Sequence, residues 1–395
     1  MDNAAKGRHS KRRRRHAARG PELEQGKGLA NGLPHRDLEG PQHRDWRRRP
    51  RGPVFAALDL GTNNCRLLVA RPVSFDDTGS AGFKVIDAFS RIVRLGEGLG
   101  DAMPGEVPVL SEAAVERTLE ALKVCAQKMR RRGVSYARNV ATEACRRAAN
   151  GANFLARVES ETGLAFEVIS PDEEARLAMT GCLSLLDPEL PHALLFDIGG
   201  GSTELSWLKI SAGGEAGTEA HMLGSISLPM GVVAFAERYG GRHVDRAAYR
   251  AMVEEVSAAL EGFDSAHEIS AAVGRGGVQM IGTSGTVTTI AGVYLELPRY
   301  DRALVDGTYL GFDVMAAATR RLRDMSFEER AAHPCVGHER ADLVIAGLAI
   351  LDAICRLWPV GRLRVADRGL REGILIGLMK CHRELPRRDD WARGQ

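Results

Sequence analysis

Two stretches of the chain share one order of apolar and polar positions. Val54-Phe55-Ala56-Ala57-Leu58 is an apolar run that leads into Asp59, Leu60, Gly61 and the small polar residues Thr62, Asn63 and Asn64. Leu194-Leu195-Phe196 leads into Asp197, Ile198, Gly199, Gly200, Gly201, Ser202, Thr203 and Glu204, with the second Asp 138 residues after the first. A short apolar run bounded by glycine reads as a buried strand entering a tight turn, with a second strand leaving it. Glycine in such a turn lets the backbone approach a ligand and aim N–H groups at it. Two such turns could grip a phosphate chain from both sides, and the acid beside each could hold a divalent cation.

Periodicity places the remaining elements. Strand patterns cover Arg66–Ala70 and Lys84–Phe89, and Arg94–Gly100 is a glycine-rich loop. Ser111-Glu112 opens a helix whose apolar stripe is Val115, Leu119, Leu122 and Met129, with Arg130-Arg131-Arg132 at its negative pole and Gly133 as its stop. Ala137–Ala141 and Phe166–Ile169 read as strands, and Ser170-Pro171-Asp172-Glu173-Glu174 begins the next helix. Pro188 and Pro191 bracket a domain boundary. Beyond it come strands at Ala193–Asp197, Glu204–Lys209 and His221–Leu228, the first two followed by glycine turns, the second of these at Gly213-Gly214. A long helix spans Asp245–Phe263, and Met280–Val287 is a strand running into a glycine turn and a helix. Arg340–Trp358 is an apolar helix, Leu363–Ala366 a short strand, and Arg368-Gly369-Leu370-Arg371-Glu372-Gly373 starts a last helix. Strands alternate with helices, so the class is α/β.

Composition adds a boundary and an asymmetry. A length of 395 residues suits two domains. Residues 1–52 carry fifteen Lys/Arg against six Asp/Glu and little that could build a core, which predicts a disordered basic tail; a solvated extension with no fixed role is the favoured reading, and a flexible arm for polyanions the alternative. The expected divisions are thus a tail at 1–52, domain I at 53–190, domain II at 191–385 and a polar tail at 386–395. No apolar run reaches the roughly 18 residues of a membrane span, and no apolar segment follows Met1, so a cytoplasmic protein is expected. The seven cysteines are scattered without a C-x-x-C and read as reduced thiols. The eleven histidines show no H-E-x-x-H, and no zinc is expected.

Eight segments in order resemble the exopolyphosphatase and guanosine pentaphosphate phosphohydrolase family, Ppx/GppA. They are Ala57–Asn63, Arg94–Gly98, Ala141–Ala144 with Arg146, Ile169–Arg176, Asp197–Glu204, Gly282–Thr286, Arg340–Asp342 and Asp367–Gly373. The resemblance implies a duplicated actin-like ATPase fold (the ASKHA, ribonuclease H-like class) with two domains around a cleft. It is similar to the short form, without the C-terminal HD-type region. At the first turn the family more often carries Ser where Thr62 and Asn64 stand here.

What the resemblance implies about chemistry is water attack on a terminal phosphorus. Glu174 would be the base, against the plain alternative of an acid placed well for a helix dipole. Arg146 would meet phosphate oxygens. Gly61, Thr62, Asn63 and Asn64 would form one phosphate loop, and Gly199, Gly200, Gly201, Ser202 and Thr203 the other. Asp59, Asp197 and Glu204 would hold Mg²⁺ or another divalent cation, although an Asp at a strand end can simply cap a turn. At Gly282–Thr286, helix capping and ligand contact both stand. Arg368, Arg371 and Glu372 are expected to be structural. The implied substrate is inorganic polyphosphate, with guanosine pentaphosphate as the alternative, and a homodimer is open. A sugar or acetate-type kinase of the same superfamily and a non-catalytic alarmone- or polyphosphate-binding module are the other classes; Glu174 counts against the first, and the intact Glu174, Asp197 and Glu204 against the second.

Overall fold

The computed structural model describes residues 52–73, 82–100, 107–213 and 218–384. The expected tails, Gly52 apart, lie outside the described residues, as does Gly214. Two sheets organise the described residues. The first is built from β1 (Phe55–Leu60), β2 (Asn64–Pro72), β3 (Phe83–Ile92), β4 (Tyr136–Ala141) and β5 (Glu167–Val168), in the order β3-β2-β1-β4-β5. The second holds β6 (His192–Ile198), β7 (Thr203–Ala212), β8 (Thr218–Leu228), β9 (Val278–Thr283), β10 (Tyr309–Gly311) and β11 (Arg362–Ala366), in the order β10-β11-β9-β6-β7-β8. Each has an antiparallel hairpin pair followed by parallel strands: β1 pairs β2 antiparallel and β4 parallel, while β6 pairs β7 antiparallel and β9 parallel. The second sheet therefore repeats the first and adds β10 at one edge. This is the duplicated α/β architecture of the actin-like class.

Both faces of each sheet are covered, which explains the unbroken apolar runs at their centres. In β1, Ala56, Leu58 and Leu60 face α1 (Glu112–Arg132) and α3 (Gly151–Thr162) through Val115, Leu119, Leu122, Phe154 and Val158. The alternate residues Phe55 and Ala57 face α4 (Pro171–Cys182) and α13 (Leu370–Glu384) through Leu177, Ile374, Leu375 and Met379. In β6, Leu194, Phe196 and Ile198 pack toward α5 (Val232–Tyr239), α6 (Arg246–His267), α8 (Ser284–Tyr294) and α12 (Val344–Leu357). Ser111 caps α1 by accepting from Ala114 N, and Gly133 ends it in the left-handed region at φ 63°. Ser170 caps α4 by accepting from Glu173 N, with Pro171 in the first turn.

The last helix departs from the sequence division. It lies within 191–385, yet its apolar side covers the first sheet, because Phe55, Ala57, Leu68 and Val140 leave that face to be buried. Its start also shifts to Leu370. Arg368 is held outside by its ion pair with Asp306, and Glu372 Oε2 accepts from Gly369 N at 2.9 Å. Likewise the apolar helix α12 begins at Val344, since His338–Arg340 forms a separate 3-10 turn. The helix α10 (Phe312–Asp324), together with α3 and β10, is an element the sequence reading left unassigned.

The chain crosses between lobes along α4 and returns into α13, and these segments meet backbone to backbone. A Cβ on Gly181 would lie 2.0 Å from Gly369 O, and one on Gly373 would lie 2.0 Å from Leu177 O. Gly373→Ala and Gly181→Ala should each destabilise the protein by about 1–3 kcal/mol, the range for overpacking. Gly377, on the same helix, has open space at its Cβ position, and Gly377→Ala should be neutral or stabilising by up to about 1 kcal/mol. Denaturant unfolding of the three variants checks this; equal effects at 373 and 377 would refute the close crossing.

Candidate active site

Asp59 and Asp197 occupy matching places, each one residue before the end of the first strand of its hairpin. Asp59 pairs in register with Arg66, and Asp197 with Glu204. Each turn closes with the same bond: Gly61 N–H to Asn64 O at 2.9 Å, and Gly199 N–H to Ser202 O at 2.9 Å. Asn63 O accepts from Val93 N and Arg94 N, and Thr62 O from Gly96 N. Gly199 O and Gly200 O accept from Val232 N and Val233 N, in the first turn of α5. The turn carbonyls are thus engaged by protein donors. No backbone acceptor among the described residues takes the N–H groups of Thr62, Asn63, Gly200 or Gly201, which leaves donors suited to an anion.

The two turns also touch each other. A Cβ on Gly200 would lie 2.9 Å from Asn63 Cβ, and one on Gly201 would lie 2.6 Å from Thr62 Oγ1. Close approach of the opposite turn is therefore a physical reason for these glycines, before any ligand enters.

Around the meeting point lies a cleft with about 140 Å³ open to the centre of a water molecule. At roughly 10–15 Å³ per water on that measure, it takes a phosphate group with several waters rather than one ion alone. Asp59, Gly61, Thr62, Asn63, Asn64, Glu174, Asp197, Gly199, Gly200, Gly201, Ser202 and Glu204 all line it. Two expected residues do not. Thr203 is fully buried and its hydroxyl donates to Met230 O at 2.6 Å, so it braces the turn from behind. Arg146 stands behind the wall: Nη1 donates to Ile169 O (2.7 Å) and Glu174 Oε2 (3.2 Å), and Nη2 to Glu143 Oε2 (2.8 Å). Three of its five N–H donors are thus directed at Ile169, Glu174 and Glu143, and it is not among the residues that line the cleft. Arg147 lies within 3.8 Å of Glu143 and also reaches Leu99 O.

Burial sets the electrostatics. Desolvation raises Asp59 to about 6, and the charges of Arg66 and Arg371 hold it from going further. Glu204 is pushed up to about 7 by burial and then by Asp197, although Ser202 and Ser227 hydrogen-bond it. Burial likewise raises Asp197. Glu174 goes well above the carboxylate range through burial first and Glu204 next, with Arg146 pulling the other way.

No group of three or more His, Cys, Asp or Glu side chains able to cage a metal occurs among the described residues. Magnesium usually takes only one or two carboxylates, with water and phosphate oxygens completing its shell. Asp197 and Glu204, neighbours in register and both driven toward protonation, fit that role. The buried oxygens Thr62 Oγ1, Asn63 Oδ1 and Asn64 Oδ1 have no protein partner and face the same need for polar company.

Sequence reasoning passed over several residues on the cleft: Arg66, Thr142 and Arg340 received no role, and Arg368 and Arg371 were held structural. Arg66 had a usable signal. It follows Asp59 by the same seven positions that separate Glu204 from Asp197. Thr283, Ser284, Gly285 and Thr286 line the cleft at the start of α8, and Ser284 holds φ 80° there with its hydroxyl on Ile198 O.

The profile of the Ppx/GppA phosphatase family matches residues 73–382. The chain belongs to the Ppx/GppA phosphatase family. The crystal structure of the Aquifex aeolicus Ppx/GppA member is 28% identical, covering 85% of this chain and 99% of that one, with a TM-score of 0.65. An exopolyphosphatase-like protein is 26% identical over 84% of this chain and 100% of its own, with a TM-score of 0.69. An exopolyphosphatase from Cytophaga hutchinsonii reaches a TM-score of 0.70 over 83% of this chain and 98% of its own; at 22% identity that likeness shows the fold. Family membership makes this Ppx/GppA protein a hydrolase of that type.

The raised carboxyl of Asp59 gives a stability test. The fold favours its protonated form, so its contribution is intact below about pH 4 and lost as pH rises through about 6. In magnesium-free buffer, Asp59→Asn should gain on the order of 3 kcal/mol over the parent at pH 8 and nothing at pH 3.5. Urea unfolding at both pH values measures it; a pH-independent difference would remove Asp59 as a buried titrating acid.

Proposed function

We propose that this cleft removes terminal phosphate from inorganic polyphosphate, as an exopolyphosphatase. The observation that carries the reading is the convergence of Glu174 with both Asp-bearing turns on one cleft. Glu174 reaches it from the first helical turn of α4, with one carboxyl oxygen held by Arg146. Its other oxygen is the acceptor for a proton from water once a cation beside Asp197 and Glu204 offsets the neighbouring acids and leaves Glu174 ionised. The water oxygen then bonds to the terminal phosphorus while the bridging P–O bond breaks, and the leaving oxygen stays with the shortened chain. The uncommitted N–H groups of Thr62, Asn63, Gly200 and Gly201 would receive phosphate oxygens, and Arg66 and Arg371 would offset their charge. Asp197 and Glu204, with Asp59 beside them, would hold Mg²⁺ or another divalent cation, which when bound neutralises charge on the phosphates.

A second reading, hydrolysis of guanosine pentaphosphate to the tetraphosphate, draws support from one part of the cleft. Val336, Leu343 and Val344 form an apolar wall near the start of α8, suited to a nucleoside.

Phosphate release from polyphosphate, guanosine pentaphosphate and ATP, measured side by side with Mg²⁺, separates these readings. Glu174→Gln should lower kcat by about 10²–10⁴-fold on the preferred substrate while the protein stays folded. Unchanged turnover in that variant would remove Glu174 as the base. Phosphate transfer that needs an added acceptor would point instead to a kinase.

A further inference from the structure

The loop Arg94–Gly100 and the segment Arg340–Asp342 play no part in the chemistry above, yet the structure joins them. Arg94 Nη1 and Nη2 meet Asp342 Oδ2 and Oδ1 at 2.8 and 2.9 Å, a two-pronged pair between residues 248 positions apart. Nη2 also donates to Glu339 O at 3.1 Å. Four residues on, Gly98 N–H donates to Glu237 Oε1 at 2.8 Å, on α5. Arg94 and Gly98 both take left-handed backbone, at φ 47° and 82°. For an arginine that conformation is uncommon and is retained where surrounding contacts impose it.

The same loop holds the first glycine turn. Val93 N–H and Arg94 N–H donate to Asn63 O at 2.9 and 3.1 Å, and Gly96 N–H donates to Thr62 O at 2.9 Å. A Cβ on Gly96 would lie 2.3 Å from Thr62 Cγ2, so the loop lies directly on the turn. On the far side, Asp342 belongs to the segment that places Arg340 on the cleft, and its carbonyl leaves no room for a Cβ on Gly241, at 2.3 Å.

We propose that Arg94 and Asp342 form a clasp across the lobes that couples closure to the placement of the first turn and of Arg340. Arg94 is a positioning residue: it touches neither the cleft nor the reacting atoms, and it acts through Thr62, Asn63 and the Arg340 segment. The inference rests on the proposed hydrolase reading for its kinetic arm only. With the clasp open, the lobes lose one fixed contact, the two turns separate, and the Asp-bearing halves of the site no longer face each other at working distance.

Charge exchange on the full chain tests it. Arg94→Asp and Asp342→Arg should each lower kcat/KM for the preferred phosphate substrate by about 10- to 100-fold, and the exchanged pair should recover to within about threefold of the parent. Small-angle scattering without ligand should show both single variants expanded and the exchanged pair compact again, a readout that holds whatever the substrate proves to be. If Arg94→Asp does not fold, Arg94→Lys takes its place, with a smaller loss expected because lysine cannot make the two-pronged contact. The clasp is overturned if folded single variants keep kcat/KM within twofold and scatter like the parent, or if the exchanged pair is no better than the worse single variant. A parent protein that releases no phosphate would sink the hydrolase reading and leave the scattering result to decide the clasp.

Discussion

Two hairpin turns meet at a separation that only glycine allows, with Gly200 against Asn63 and Gly201 against Thr62. Much follows from that contact. Because the turns touch, the aspartates at their bases open onto one cleft, and the charge of Asp197 is felt at Asp59. Burial then makes each carboxylate costly to ionise, and neighbouring acids add to the cost at Asp59, Glu174 and Glu204. The bare cleft is therefore short of positive charge. Its surroundings offset that in part, with Arg66 and Arg371 acting on Asp59 and Arg146 on Glu174. A substrate carrying its own cation would offset the rest, which is why a site so acidic is compatible with an anionic ligand.

The duplication explains how one cleft acquires two kinds of wall. The hairpins share their register, their closing bond and their aspartate, but differ seven residues on, where the first half has Arg66 and the second Glu204. The same backbone position thus offers a guanidinium from one side and a carboxylate from the other. On the proposed reading, a cation would sit on the second wall, beside Asp197 and Glu204. On the same reading, phosphate oxygens would lie nearer the first, where Arg66 stands and where Thr62, Asn63 and Asn64 present polar atoms with no protein partner. A difference at one equivalent position would be enough to separate those roles.

Local pattern made much of this legible. The strand–turn–strand repeat, the Ser-Pro-acid start of α4 and the serine cap of α1 are each written within a dozen residues, and they formed where the sequence placed them. What escaped depends on contacts between distant segments. The last helix was assigned to the half in which it lies, but the uncovered face of β1 decides where it packs. Arg146 resembled a phosphate ligand, but Glu143, Ile169 and Glu174 take up three of its five N–H donors and it does not line the cleft. Thr203 looked like part of a phosphate loop until Met230 claimed its hydroxyl. No spacing rule announces a partner 248 positions away, as at Arg94 and Asp342.

The position of Glu174 can be weighed against its plainest explanation. An acid in the first turn of a helix gains about 0.3–1 kcal/mol from the helix dipole. The turn already has two others, and both are engaged elsewhere: Asp172 accepts from Ser225, and Glu173 pairs with Arg138 and Arg176. A third acid adds little to helix stability. Here it lies in a buried cleft with other carboxylates near it, and its proton affinity rises well above that of an ordinary glutamate. One unit of such a shift corresponds to about 1.4 kcal/mol, already more than the dipole supplies. At neutral pH the residue therefore works against the stability of the segment that carries it. Three engaged donors of Arg146 keep it in place nonetheless, one of them directly on its carboxylate. A group held in an unfavourable place by a neighbour built for it is better explained by what it does to a ligand than by what it does for the helix.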